Sequence, residues 1–291
     1  MRLRLLCTTL VTVPLTGGLA APASQDVVQK TALVTVVAEA RGPVANLGPR
    51  DFVVREDREP RDVLEVRQAT EPIFVTLLID TIRTPAGVLA PTQDLRRGLA
   101  AFVSTIKGGS PDAQIAILDY AGATVTAIDF TSELPTLERY IQRLFPNRQV
   151  DAVLIEALVE GARKLGDKPS PRRAIVVVDF NARDGSAVPA MQEAAETVRK
   201  SGATVWTVSV RLTSATSSHR EDVLNVVTRS SGGTRLTIVE PTGLEAMLRS
   251  VANSLLSQYT VTFTRPVNAR VKSTQMETAK GGKVLLTPWM R

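Results

Sequence analysis

The stretch Pro72-Ile73-Phe74-Val75-Thr76-Leu77-Leu78-Ile79-Asp80 decides the fold. It reads as a buried strand that delivers an acidic residue to its carboxyl end. In open α/β sheets, ligand sites lie just beyond the carboxyl ends of the strands. Asp80 and the residues behind it, Thr81-Ile82-Arg83-Thr84, are therefore the first place to look for function.

Working outward, strand-like apolar runs alternate with helix-like patterns. A helix carried on Leu95, Leu99, Phe102, Val103 and Ile106 is followed by strands over 114–120 and 124–130, joined by a hairpin at Gly122. Next come a helix on Leu137, Tyr140, Ile141 and Leu144, a second over 153–164, a strand over 174–179, a helix through Met191 and Val198, and a strand over 203–210. Helices over 219–230 and on Leu244, Met247, Leu248, Val251 and Leu255 enclose a short strand near 234–239. Such alternation predicts an α/β fold, a Rossmann-like, doubly wound, mostly parallel sheet with helices on both faces.

The flanks have a different rhythm. Short strand candidates at 31–38, 52–56 and 63–67 are separated by Gly42-Pro43, Gly48-Pro49 and Glu59-Pro60, and 259–264 and 283–287 look similar. Isolated hairpins are only marginally stable, so the two ends are expected to pair into one antiparallel β extension. The expected division is a leader at 1–23, an N-terminal β segment at 24–71, the α/β core at 72–257 and a C-terminal β extension at 258–291.

The first residues bear on compartment. Arg2 and Arg4 precede a mostly apolar stretch over 5–20, and small residues around Gly18-Leu19-Ala20 and Ala21-Pro22-Ala23 offer cleavage points, the layout of a secretory signal peptide. Pro14, Gly17 and Gly18 interrupt the stretch, and it falls short of the roughly 20 residues a membrane-spanning helix needs. Cys7, the one cysteine, leaves with the leader, so disulfides, a cysteine nucleophile and thiolate metal sites are excluded from the mature chain. A secreted or periplasmic protein without a later membrane span is expected.

The net charge of +6 is mild, and aromatics make up only 4% of the chain. Arg96-Arg97 and Arg172-Arg173 stand without interleaved aromatics, so no stacking platform for nucleic acid is read, and these pairs are expected on solvated faces.

From about Phe74 to Tyr259 the chain resembles a von Willebrand factor type A domain, and its surroundings resemble the bacterial group related to that family. The resemblance rests on the strand ending in Asp80, the phrase Leu47-Gly48-Pro49-Arg50-Asp51-Phe52-Val53-Val54-Arg55-Glu56-Asp57, the phrase Asp129-Phe130-Thr131, the strand over 174–179 and the closing Ser257-Gln258-Tyr259-Thr260-Val261. It implies a site for one divalent cation, built from a DxSxS loop after the first core strand, a threonine in a second loop and an aspartate in a third. Hard cations such as Mg²⁺ or Mn²⁺ favour such oxygen ligands.

Here the chain departs from that pattern. Asp80 and Thr84 fit the first loop, but Ile82 stands at a serine position with no oxygen to offer, and Arg83 adds positive charge. Ala152 takes the threonine position, leaving Asp151 as a substitute donor, while Asp179 remains in the third loop with Phe180 behind it. The resemblance thus implies a degenerate metal site on Asp80, Thr84 and Asp179, with protein partners meeting Ile82, Arg83 and Phe180.

Asp80 and Thr84 also resemble the nucleophile loop of haloacid dehalogenase-like phosphatases, but Ile82 sits where that chemistry needs a second acid to protonate the leaving group. His219 has no Ser and Asp companions for a triad, and GxSxG, GxxxxGK[ST] and strand-linked GxGxxG motifs are missing from the sequence. Gly108-Gly109 and Gly232-Gly233 read as helix-ending turns. The sequence therefore points to a non-catalytic protein-binding or adhesion-type module, metal-independent and without cofactor. A cation-dependent adhesin with a rebuilt site and a structural scaffold of an envelope complex remain as alternatives.

Overall fold

The structure, a computed structural model, describes residues 26–37, 44–82, 91–146, 149–180, 183–211 and 218–291. The leader reading, Arg83 and Thr84 fall outside the described residues. Four strands precede the core: β1 (Val27–Val37), β2 (Phe52–Glu56), β3 (Glu59–Arg61) and β4 (Val63–Gln68). Then follow β5 (Phe74–Ile79), α1 (Thr92–Gly109), β6 (Gln114–Asp119), β7 (Val125–Thr131), α2 (Leu134–Arg143) and α3 (Leu154–Gly166). The core continues with β8 (Arg173–Asp179), α4 (Val188–Ser201), β9 (Thr204–Val210), α5 (Ser218–Ser230), β10 (Arg235–Ile238) and α6 (Leu244–Leu256), and the chain closes with β11 (Gln258–Pro266), β12 (Thr274–Thr278) and β13 (Lys283–Met290).

Every residue of β5 is buried because the strand lies inside the six-stranded sheet, ordered β10-β9-β8-β5-β6-β7, with helices on each face. β5 pairs in parallel with β6 and β8, and β7 alone runs antiparallel, returning from β6 through the turn at Gly122. Gly122 takes φ +71°, a conformation that costs a residue without Cβ little. Alternation along β5 sorts its side chains. Val75, Leu77 and Ile79 pack with Leu99 and Phe102 of α1, Leu137 of α2 and Leu248 of α6, while Phe74 and Leu78 pack with Leu158 of α3, Ala194 of α4 and Leu224 of α5. Gly161 lets α3 sit against β5, since a Cβ there would lie 3.0 Å from Thr76 Cγ2.

The two ends of the chain do pair. β1 lies between β13 and β11 in an antiparallel sheet ordered β13-β1-β11-β4. A second, three-stranded sheet, β12-β2-β3, faces it, and Val34, Val54, Phe263 and Met276 belong to the small core between them. β12 and β3 carry little apolar signal and were not legible as strands. The fully buried Glu56 of β2 ties the layers, accepting from Arg61 Nε at 3.1 Å and from Arg265 of β11 at 2.9 Å. Burying a carboxylate is unfavourable unless it is paired and hydrogen-bonded, and two guanidinium groups meet that need.

One expectation is corrected. Arg172 is not on a solvated face; it is 3% exposed. It donates to the carbonyls of Glu71 at 2.8 Å and Leu255 at 2.7 Å and to Gln258 Oε1 at 3.3 Å, so it staples the end of α6 and the start of β11 to the entry of β5. Burial pushes the Arg172 guanidinium down to about 10, with Glu71 opposing, which leaves it charged at neutral pH. Arg173 likewise donates to the carbonyls of Ser170 and Ser201, both at 2.8 Å. A dipeptide read from charge alone misses carbonyl clusters at helix ends, which a guanidinium can satisfy several at a time.

Candidate functional site

The carboxyl edge of the sheet gathers three loops, following β5, preceding α3 and following β8. Backbone pairing knits the second and third together. Ala152 N–H donates to the Arg183 carbonyl at 2.8 Å and Gly185 N–H to the Ala152 carbonyl at 2.7 Å, while Val153 N–H reaches the Tyr120 carbonyl at 3.0 Å. Ser186 Oγ accepts from the N–H groups of Ile155 and Glu156 at 3.1 and 3.3 Å, serving the unpaired amides at the start of α3 from the neighbouring loop. Glu156 returns the contact by accepting from Ala187 N–H at 2.9 Å. The edge is a hydrogen-bonded platform in which each loop fixes the next.

Beneath it lies a buried charge cluster. Asp80 is 0% exposed; its Oδ1 accepts from Ile82 N–H at 2.9 Å and its Oδ2 from Phe180 N–H at 3.2 Å. Burial, then the neighbouring Asp179, pushes the Asp80 carboxyl up to about 7, against the opposing pull of the two backbone donors and of Arg220. Asp179 is ion-paired with Arg220 of α5, and Arg220 Nε stands 3.6 Å from Asp184 Oδ2; all three side chains are fully buried. Burial works against the Arg220 charge, but Asp179, Tyr120 and Asp184 outweigh it and hold the guanidinium above its ordinary value. Tyr120, also fully buried, donates to the Val178 carbonyl at 2.9 Å, and burial followed by the charges of Asp80 and Asp179 pushes its phenol well up.

Asp80 and Asp179 are brought together, as the sequence pattern requires. Asp151 is not turned into the cluster as a substitute donor: its side chain is half exposed and 3.6 Å from Arg183. Phe180 corrects the expectation of an exposed apolar contact. At 6% exposure it packs into the core on the α1–α6 face. Ile82 is partly buried against the opposite core. Among the described residues, the loop preceding α3 exposes Phe145 and Val150, and Val188 is exposed at the start of α4. The side chain of His219 lies outside the described residues.

Among the described residues, the donor set does not fit a divalent cation. Two expected hydroxyl positions hold Ile82 and Ala152, and a guanidinium occupies the acid-lined space beside Asp179. Among the described residues, no three acidic, histidine or cysteine side chains are arranged to hold an ion.

No family model matches the chain, and no curated protein matches it. Solved structures do. A von Willebrand factor type A protein from Catenulispora acidiphila superposes with a TM-score of 0.53 at 11% identity, over 91% of this chain and 73% of that one. The chain carries the von Willebrand factor A fold. The von Willebrand factor domain of the type V pili tip protein Mfa5 from Porphyromonas gingivalis is similar over 64% of this chain and 96% of its own, with a TM-score of 0.51 at 14% identity. The PilB minor pilin from Streptococcus sanguinis gives 0.54 at 10% identity over 66% of this chain, which spans only 63% of that pilin. Within this fold Asp80 and Asp179 stand at the carboxyl edge as read from the sequence, whereas Arg220 and Asp184 could not have been paired with them from sequence. Arg220 lies 41 positions from Asp179, in a helix following a Ser/Thr-rich run with no motif of its own.

Proposed function

We propose that this chain is an extracytoplasmic, non-catalytic protein-binding module that engages its partner through the carboxyl-edge loops of a von Willebrand factor A fold, without a divalent cation. The observation that carries the reading is the buried Arg220 guanidinium among Asp80, Asp179 and Asp184, which supplies within the chain the positive charge that an ion would otherwise bring. Loops positioned by a rigid, layered scaffold are suited to recognition. Phe145, Val150 and Val188, at 62%, 48% and 63% exposure, supply apolar contact area on that face, and Arg183 supplies a charge. An envelope location is supported by the leader-like residues 1–23 and by the pilin and pilus-tip proteins among the similar structures. Among the described residues, no helix is long and apolar enough to cross a membrane.

The test is capture from an envelope extract with the immobilised chain, in EDTA and in millimolar Mg²⁺. Equal capture in both, lost when Phe145, Val150 and Val188 are changed together to Ser while the melting temperature holds, is the expected result. Capture that requires Mg²⁺, or that survives the triple change, would refute the proposal.

A further inference from the structure

We propose that Arg220 is a built-in cation: its guanidinium, carried in on α5, holds the strand ends at Asp80 and Asp179 and the Asp184–Ser186 turn in one arrangement, so that this part of the carboxyl edge is set by the chain's own charge and not by an ion taken from solution. It deepens the metal-independent part of the proposed function, which rests on the same charge cluster, and does not depend on what the outer surface binds.

Three features carry it. First, Arg220 heads the fully buried side chains by size, and an isolated buried charge is strongly unfavourable unless neighbours compensate it. The acids that face it come from two separate elements and a loop: Asp80 at the end of β5, Asp179 at the end of β8, and Asp184 in the loop beyond, with the Tyr120 phenol alongside. Second, the acids are themselves tied to backbone that forms the edge. Asp80 holds the N–H groups of Ile82 and Phe180, and Asp184 Oδ1 accepts from Ser186 N–H at 2.8 Å, which in turn serves the start of α3. Asp179 and Asp184 meet Arg220 directly, and Asp80 feels its charge from beside Asp179. Third, the delivery is rigid. α5 is anchored by Leu224 and Val227 in the core, by the Arg235–Glu221 ion pair at 2.7 Å and by Ser231 Oγ accepting from Val205 N–H at 2.9 Å. A guanidinium held on a fixed helix cannot be removed by a chelator.

Arg220 is a positioning residue, so its test needs a readout beyond loss of stability. Thermal unfolding of the full chain and of Arg220→Ala is followed in EDTA, in millimolar Mn²⁺, and in ethylguanidinium chloride with sodium chloride as the ionic-strength control. The wild type is expected to respond to none of them. Arg220→Ala is expected to melt roughly 10 °C lower, from loss of one partner of a buried pair, and to regain several degrees in ethylguanidinium or Mn²⁺ but not in sodium chloride. An Arg220→Ala variant that melts with the wild type, or that melts lower and responds to neither cation, would overturn the proposal. Should that variant not fold, Arg220→Met decides, since it keeps most of the bulk and removes only the charge. Adding Asp179→Asn to Arg220→Met should then raise the melting temperature, because the buried pair is coupled, whereas additive losses would overturn the proposal.

Discussion

Replacing Asp80 by Asn should change the pH dependence of stability in a calculable way. The carboxyl is raised from 3.8 to about 7 in the folded chain, chiefly by burial. Between about pH 4 and 7 the native state therefore holds a proton that the unfolded chain has released. Stability from this group is complete below about pH 4 and is lost as pH rises through about 7. At about 1.4 kcal/mol per unit, the shift amounts to about 4 kcal/mol across the window. Asn does not titrate and contributes no slope. It has a separate, pH-independent cost: it offers one oxygen where Asp80 uses two, so one of the N–H groups of Ile82 and Phe180 loses its acceptor, about 1–3 kcal/mol.

Relative to the wild type, the Asn variant should consequently gain about 2–3 kcal/mol between pH 5 and pH 8, and it should be the more stable protein at pH 8. Urea unfolding followed by circular dichroism at pH 5, 6, 7 and 8 measures the difference directly. Carboxyls held below their ordinary range elsewhere, at Asp51, Asp57, Asp129 and Glu196, contribute equally to both proteins and cancel. A stability difference that stays flat from pH 5 to 8 would mean that Asp80 does not change protonation in the folded chain, and the account of the buried cluster would fail.

Two further outcomes follow from packing. Gly233→Ala should cost about 3 kcal/mol or more by urea unfolding, because a Cβ there would run into the backbone carbonyl of Val205 in the buried strand β9 and not into the end of a flexible side chain. Arg172→Ala should cost about 3 kcal/mol, as the buried carbonyls of Glu71 and Leu255 lose their donor; a loss under about 1 kcal/mol would mean that water replaces the guanidinium.

What the sequence disclosed was what hydrophobic periodicity encodes. β5, the hairpin at Gly122 and the helices at 154–166 and 244–256 were legible because their apolar positions repeat at the period of their own element. Asp80 and Asp179 were legible because strand ends position residues by chain geometry alone. Arg220 and Asp184 were not, because a buried ion pair between elements leaves no local pattern, and a lone arginine at a helix start reads as a solvated charge. Phe180 was misjudged for the same reason: a loop residue turned inward under Asp80 resembles in sequence one turned outward. The strands at 59–61 and 274–278 escaped because their pattern is mostly polar, and pairing with β2 supplies what periodicity does not.

The interleaving of the two ends has a temporal consequence. β1 pairs with β11 and β13, and its hydroxyl contact from Thr31 to Thr262 joins positions 231 apart in sequence. Closing so long a loop makes this pairing a late event compared with the local strand–helix units of the core, and proteins rich in non-local contacts fold slowly. Until β13 arrives, β1 has an open edge able to recruit a strand from another molecule. As long as β13 is unpaired, the stretch from Val27 to Val37 is thus the part of the terminal sheet most open to pairing with another molecule.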